Sequence, residues 1–263
     1  MQDRPEPAPD GALDGLLAVL FDLDGVVTPT AEVHMRAWRR LFEAFLEDRS
    51  TAPYTDEDYF QHIDGRPRYE GVAALLDSRS IALPLGDPSD APDAETVCGL
   101  GNRKNAVFAE ILRTEGVAPY PGSLLLLARL AAQGTPCAIV SSSRNAVAVL
   151  GAAGLGERFA LVVDGQTAVA KGLAGKPAPD TYLYAARRLG VAPGRAAVIE
   201  DAVSGVAAGA AGEFGLVVGV DRGVGAGALL AAGADVVVTD LAELVAPAET
   251  PAESAESVEP GRG

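Results

Sequence analysis

Apolar and polar positions fall in blocks along this chain. Residues 16–21 (LLAVLF) form a continuous apolar run that ends in polar residues, the pattern of a strand buried on both faces. Residues 136–140, 161–163, 196–199, 216–220 and 235–238 repeat it. Helical spacing lies between these runs, over 123–133, 145–153, 180–189 and 202–211. Alternating strand and helix signals predict an α/β protein: a Rossmann-like parallel sheet core with helices on both faces. In such sheets reactive groups collect at the carboxyl ends of the strands.

The stretch from 31 to 115 breaks the alternation. It has few strand-like runs and three helix-like ones, 31–47, 68–79 and 100–113, with a Pro/Asp-rich surface excursion over 83–93. It reads as an inserted helical cap domain following the first strand. The expected organisation is a flexible lead-in over 1–13, a catalytic core from 14–30 and 116–245, the cap over 31–115, and a disordered acidic tail over 246–263.

The formal net charge of −15 leaves no basic stripe to neutralise a nucleic-acid backbone, so nucleic acid is not an expected partner. A small phosphorylated ligand needs only a few placed cations and a metal. Cys98 and Cys137 lack metal-ligand spacing. A disulfide between them is formally open, and two reduced thiols is the expectation. No basic region followed by an apolar run opens the chain, and no segment has the length of a membrane span; the reading is a cytoplasmic protein without a membrane partner, and a monomer.

Each polar cluster of interest follows one of the apolar runs. Asp22 and Asp24, two apart, leave the first strand toward the same space. A turn signal explains the Asp24-Gly25 pair but not the acid two residues earlier. One such carboxylate can attack phosphorus, and the other can move the proton of the hydroxyl that leaves or attacks. Ser141-Ser142-Ser143-Arg144-Asn145 offers hydroxyls and amides at a helix start, where phosphoryl oxygens bind, although serine there is often only a cap. Lys176, stiffened by neighbouring prolines, could neutralise a transferring phosphoryl group, although taken alone it reads better as a solvated surface lysine. Glu200 and Asp201 close the set, and with Asp22 they make a hard-oxygen cage suited to Mg²⁺.

These four segments, in this order, resemble the haloacid dehalogenase-like superfamily over nearly the whole chain between the tails. The resemblance implies Asp22 as nucleophile, Asp24 as general acid/base, and Ser141 and Lys176 as phosphoryl ligands. It implies Mg²⁺ held by Asp22, the Asp24 backbone oxygen and Asp201, with Glu200 assisting. Asp24, which the superfamily's dehalogenases lack, favours phosphoryl transfer.

The insert is similar to that of the β-phosphoglucomutase-like family. Thr30-Ala-Glu-Val-His34-Met-Arg-Ala-Trp38 looks like its first cap helix, where the His and Trp lie against the sugar phosphate and the hinge. Asp64-Gly65-Arg66-Pro67-Arg68 looks like its phosphate-gripping cap loop. Asn102-Arg103-Lys104-Asn105 looks like the segment that supplies a substrate-binding lysine. Ser143-Arg144-Asn145 matches its distal-phosphate motif, with Arg for Lys. Taken alone, His34 and Trp38, four apart on a helix, could equally be a packing pair. Pro29 stands where the family commonly has an acid, and the cap loop over 81–96 is longer than expected. The resemblance implies a small phosphorylated sugar as substrate and interconversion of β-glucose 1-phosphate and glucose 6-phosphate. A sugar-phosphate phosphatase on the same scaffold is the alternative. A non-catalytic binding protein is the third reading, and the intact acid pairs speak against it.

Overall fold

The structure, a computed structural model, describes residues 11–63, 66 and 68–245. Most of the expected lead-in, the whole acidic tail and Gly65 lie outside the described residues.

Six parallel strands form one sheet: β1 (Ala18–Phe21), β2 (Cys137–Val140), β3 (Leu161–Val163), β4 (Ala196–Glu200), β5 (Leu216–Val220) and β6 (Val236–Val238). Their order is β3-β2-β1-β4-β5-β6. Strand β1 is therefore central, with β2 on one side and β4 on the other, in registers Phe21↔Ile139 and Phe21↔Ile199. The chain reverses its direction of winding at β1, so a crevice opens beyond the carboxyl ends of β1, β2 and β4. That is where the sequence puts Asp22, Ser141 and Glu200.

Side chains alternate across the sheet with period two. Val19 and Phe21 face one layer, built from α5 (Pro121–Ala132), α6 (Ala146–Ala152) and the carboxyl-terminal half of α4 (Val97–Glu115). Ala18 and Leu20 face the other, built from α8 (Asp180–Leu189), α9 (Val203–Ala211) and α10 (Ala226–Ala231). Every β1 side chain has no exposed surface, and burying each large one is worth about 1.5–3 kcal/mol. The helix α7 (Gly165–Lys171) follows β3.

A third apolar cluster belongs to the insert. It joins Trp38, Leu41, Phe42 and Phe45 of α1 (Thr30–Leu46) to Val72, Leu75 and Leu76 of α3 (Arg68–Ser78) and to Val97 and Leu100 of α4. A short helix α2 (Asp56–Asp58), continued as a π-helical turn through Ile63, completes it. Helix α4 begins three residues before the expected 100 because the Thr96 hydroxyl caps it, accepting from Gly99 N at 2.9 Å. The long loop ahead of it is built rather than loose. Asn102 Nδ2 donates to the Pro88 and Asp90 carbonyls, and Arg103 Nε to Pro92 O.

Both cysteines are free and buried. Among the described residues no helix is long and apolar enough to cross a membrane.

Candidate active site

The first acid pair leaves β1 as the register dictates. Asp22 N donates to Ile199 O of β4 at 2.9 Å, which seats the Asp22 carboxylate between β1 and β4 with only 7% exposure. Lys176 comes from the loop before α8, and its Nζ lies 2.5 Å from Asp22 Oδ1, 2.5 Å from Glu200 Oε1 and 2.9 Å from Val140 O. One ammonium thus joins the ends of β1, β2 and β4. Burial opposes its charge, but Asp22 and Glu200 together outweigh that and raise its pKa well above the usual lysine value.

Glu200 is fully engaged. Tyr182 of α8 donates its hydroxyl to Glu200 Oε1 at 3.2 Å, and Ala202 N donates to Oε2 at 3.0 Å. Gly205 makes room for this carboxylate: a Cβ there would sit 1.7 Å from Oε1. Asp201 packs against Gly25, whose φ of +83° is a glycine conformation and whose missing Cβ would lie 1.8 Å from Asp201 Oδ2.

Oxygens of Asp22, Glu200 and Asp201 can all lie within 4.8 Å of one another. The donors are hard carboxylates with no nitrogen or sulfur among them, which fits Mg²⁺. Crowding is visible in their titration. Burial, then the Glu200 charge, pushes Asp201 up to about 7. Burial raises Asp22 well above the carboxylate range, Lys176 opposing it and Glu200 adding to it. A divalent cation would relieve this excess of negative charge.

Asp24 turns toward the cap. Thr30, at the first turn of α1, donates its hydroxyl to Asp24 Oδ1, and Ser141 Oγ lies 3.3 Å from Oδ2. Burial raises the pKa of Asp24, although both hydroxyls lower it. Ser141, 3% exposed, also accepts from Ser143 N at 3.0 Å. The serine-rich loop after β2 is therefore folded around the Ser141 hydroxyl, and Ser142 contributes its carbonyl to the packing against Gly165.

The cap residues arrive from the opposite side. Lys104 of α4 is 3% exposed, with Nζ 2.5 Å from His34 Nδ1 of α1. Its ammonium lies 5.2 Å from the Trp38 ring centroid and 4.9 Å from that of Phe108. Each aromatic partner stacks on a different ring: His34 on Phe108 at 4.2 Å, Trp38 on Phe42 at 5.6 Å. Both also stand beside Lys104. Burial and then the Arg68 charge draw Lys104 down to about 7, while the Asp24 charge pulls it back up. The same burial, with Lys104 and Arg68 adding to it, holds His34 well below the usual histidine value.

Arg68 Nη2 donates to Asn105 Oδ1 at 3.1 Å, and Asn145 Nδ2 donates to the same oxygen at 2.8 Å. One neutral amide oxygen bridges the cap arginine to the core asparagine. The Arg144 charge bears on Arg68 and helps to lower its pKa, burial being the larger cause. Arg68 and Arg144 thus approach each other from the two halves of the molecule, with Asn105 as the hydrogen-bond partner of Arg68 rather than an acid. Arg66 is exposed, and its amide closes a turn on Ile63 O.

Sequence reasoning did not single out Asn105 as the bridge, Thr30 as the holder of Asp24, or Tyr182 as a partner of Glu200. The first two lie inside motifs already quoted. Tyr182 carries no sequence signal, since it sits on the buried face of an amphipathic helix.

An α/β core with paired acids, a lysine and a serine at adjacent strand ends, facing an inserted helical cap, defines a class of phosphoryl-transfer enzymes. Residues 16–212 match the family model of the haloacid dehalogenase-like hydrolases. The chain belongs to that family, within its β-phosphoglucomutase-like group, and is an enzyme: a phosphoryl transferase or a phosphatase. It is 47% identical over 245 residues to a β-phosphoglucomutase of Mycobacterium bovis, covering 89% of this chain and 94% of the relative. It is 31% identical to a phosphorylated carbohydrates phosphatase of Thermotoga maritima, over 84% of this chain and 93% of the relative. Among solved structures it is similar to a CbbY variant from Rhodobacter sphaeroides in complex with xylulose-(1,5)bisphosphate. That match has a TM-score of 0.67, 25% identity, and coverage of 88% of this chain and 96% of the other.

Proposed function

We propose that the protein is a Mg²⁺-dependent mutase that interconverts β-glucose 1-phosphate and glucose 6-phosphate through glucose 1,6-bisphosphate. The observation that carries the reading is the presence of two separate cationic groups, one beside Asp22 and one where Arg68 meets the Arg144-Asn145 loop. Lys176 and Ser141 lie beside Asp22 in the first; Arg68 and Arg144 converge across Asn105 and Asn145 in the second. A bisphosphate needs both groups, and it must be held in either orientation.

In this mechanism an Asp22 carboxylate oxygen attacks phosphorus in line, and the phosphorus–oxygen bond to the sugar breaks. Asp24 supplies the proton to the departing sugar oxygen and takes one from the hydroxyl that attacks in the return step. Its raised pKa suits a group that must be protonated for half of the cycle. Ser141 and the Lys176 ammonium receive phosphoryl oxygens. Asp22, the Asp24 carbonyl and Asp201 would hold Mg²⁺, which when bound would supply positive charge beside the transferring group. Glu200 assists by fixing Lys176. His34 and Lys104, with Trp38 beside Lys104, face the sugar on this reading, together with Ser142 and Ser143 of the loop after β2. On this reading the core is 14–30 and 116–245, and the cap, 31–115, closes so that a sugar hydroxyl rather than water meets the phospho-aspartate.

The second reading is a sugar-phosphate phosphatase, favoured by the similarity to the Thermotoga maritima phosphatase. Incubation with β-glucose 1-phosphate, Mg²⁺ and a trace of glucose 1,6-bisphosphate separates the two. Glucose 6-phosphate is the expected product; free glucose with inorganic phosphate would replace the mutase by the phosphatase.

A further inference from the structure

The turn over residues 23–28 joins the Asp22/Asp24 pair to the first cap helix. Three successive carbonyls in it each accept a hydrogen bond from a distant part of the chain. Gly25 O accepts from Arg222 Nε at 2.8 Å, Val26 O from Ser123 Oγ at 2.7 Å, and Val27 O from Tyr120 N at 3.0 Å. Tyr120 and Ser123 stand at the start of α5. Arg222 lies in the loop after β5, and it does more than cap one carbonyl. Its Nη1 donates to Thr239 O, just beyond β6, at 3.0 Å, and its guanidinium lies 3.8 Å from the centroid of the Tyr120 ring. One side chain thus ties the loops after β1, β5 and β6 to the segment by which the chain returns from the cap.

The carbonyl that Arg222 holds belongs to the residue on which Asp201 rests. Gly25 is so close to the Asp201 carboxylate that no side chain fits between them, and Gly25 N is fixed in turn by Thr28 O at 2.8 Å. The peptide that carries Gly25 O meets, at Gly25 Cα, the one that carries the Asp24 carbonyl and Gly25 N, so moving the first moves the wall behind Asp201 and shifts the second. Arg222 bonds the Gly25 and Thr239 carbonyls, and Gly25 is the contact with Asp201, so Arg222 reaches Asp201 through the backbone.

We infer that Arg222 is a positioning residue: by clamping Gly25 O between the β5 and β6 loops and Tyr120, it holds Asp201 and the Asp24 carbonyl in register with Asp22. The inference rests on the proposed reading of these acids as a metal-dependent phosphoryl-transfer site. The role needs a planar fork that can bond two carbonyls and stack on a ring at once. Lysine keeps the charge but has no fork, and methionine keeps the length but has no donor.

The test uses the full chain with Arg222→Met and Arg222→Lys. Mn²⁺ binding to the metal-stripped protein is titrated by electron paramagnetic resonance, and kcat, KM for β-glucose 1-phosphate and thermal unfolding are measured beside it. In Arg222→Met, Mn²⁺ affinity and kcat should each fall about ten-fold, the loss expected for one charge-assisted bond, while KM stays within about two-fold. Arg222→Lys should recover part of both. Folded variants whose Mn²⁺ affinity and kcat both stay within about two-fold of the parent would overturn the inference. So would failure of both variants to fold, which would make the role one of stability alone. A parent that neither binds Mn²⁺ nor needs a divalent metal for turnover would instead overturn the site reading beneath it.

Discussion

Two side chains carry the question of what the cap recognises. Lys104 is buried and titrates near 7, so at pH 8 most free enzyme holds it as the neutral amine. An anion placed beside it favours the ammonium, and binding should therefore draw in a proton. A sugar phosphate is already fully ionised at that pH and contributes nothing to the exchange. Calorimetric titrations at pH 8 in buffers of different ionisation heat should report uptake of up to about one proton, with Lys104→Met abolishing it. No uptake by the parent at pH 8 would remove Lys104 from contact with the anion. Arg68 is the other. Its guanidinium suits a second phosphate, and the loss of one charge-assisted contact is worth about 1.5–3 kcal/mol, or roughly ten- to a hundred-fold. Arg68→Ala should cut mutase flux by that factor and leave hydrolysis of a small aryl phosphate much less affected. Arg66→Ala, at an exposed neighbour, should change neither. Equal small effects of both substitutions on both reactions would transfer the assignment to the phosphatase.

At the scale of elements, the loop after β2 is shaped by the helix that follows β3. Gly165, the first residue of α7, donates its amide to Ser143 O at 3.0 Å, and a Cβ there would stand 2.6 Å from the Ser142 carbonyl. Alanine in a helix ordinarily gains up to about 1 kcal/mol over glycine. Here it meets backbone that has to shift, and such overpacking costs about 1–3 kcal/mol. Gly165→Ala should therefore lower the unfolding temperature slightly. It should also raise KM for a sugar bisphosphate about ten-fold more than KM for an aryl phosphate, because Arg144 and Asn145 move with the loop. Equal KM changes for the two substrates would show that the loop does not carry the second phosphate grip. The sequence signals this helix poorly. None of the seven residues of α7 is buried, and α10 buries only Leu229, so neither shows an apolar period. By contrast α8 spans the expected residues 180–189, since its buried Tyr182, Ala185 and Ala186 recur at helical spacing. The acids were legible for a similar reason: a residue that ends a buried strand has its position fixed by that strand. Arg222 was not, because an arginine in a glycine-rich loop reads as a turn, and the carbonyl it reaches is chosen only by the packed fold.

For the molecule as a whole, the acid cluster and the buried cap lysine set opposite pH slopes on folding stability. Asp201 titrates near 7 in the folded protein and near 3.9 when unfolded. Between those values the folded form binds more protons, so metal-free stability should fall as pH rises toward 7; burial raises Asp22 and Asp24 in the same direction. His34, held below the usual histidine value, opposes the three acids below about 6.5 but is outnumbered by them, and Lys104 acts in reverse above 7. It loses its proton near 7 when folded and near 10.4 when unfolded, so stability should climb from pH 7 toward 10. Together they predict a shallow minimum in the unfolding temperature near neutrality when no metal is present. Its depth should be a few degrees, since 1 kcal/mol moves the midpoint of a chain this long by roughly 2–4 °C. On the proposed reading Mg²⁺ would bind the folded acids and not the unfolded chain, so saturating Mg²⁺ should fill the minimum. Asp201→Asn removes one of the buried charges: it should flatten the acidic limb, raise metal-free stability at pH 7 and weaken the response to Mg²⁺. Differential scanning fluorimetry of parent and variant from pH 5.5 to 9, with EDTA and with Mg²⁺, reads all of these. A parent whose metal-free midpoint rises steadily from pH 5.5 to 7, or does not respond to Mg²⁺, would contradict the electrostatic account of the site.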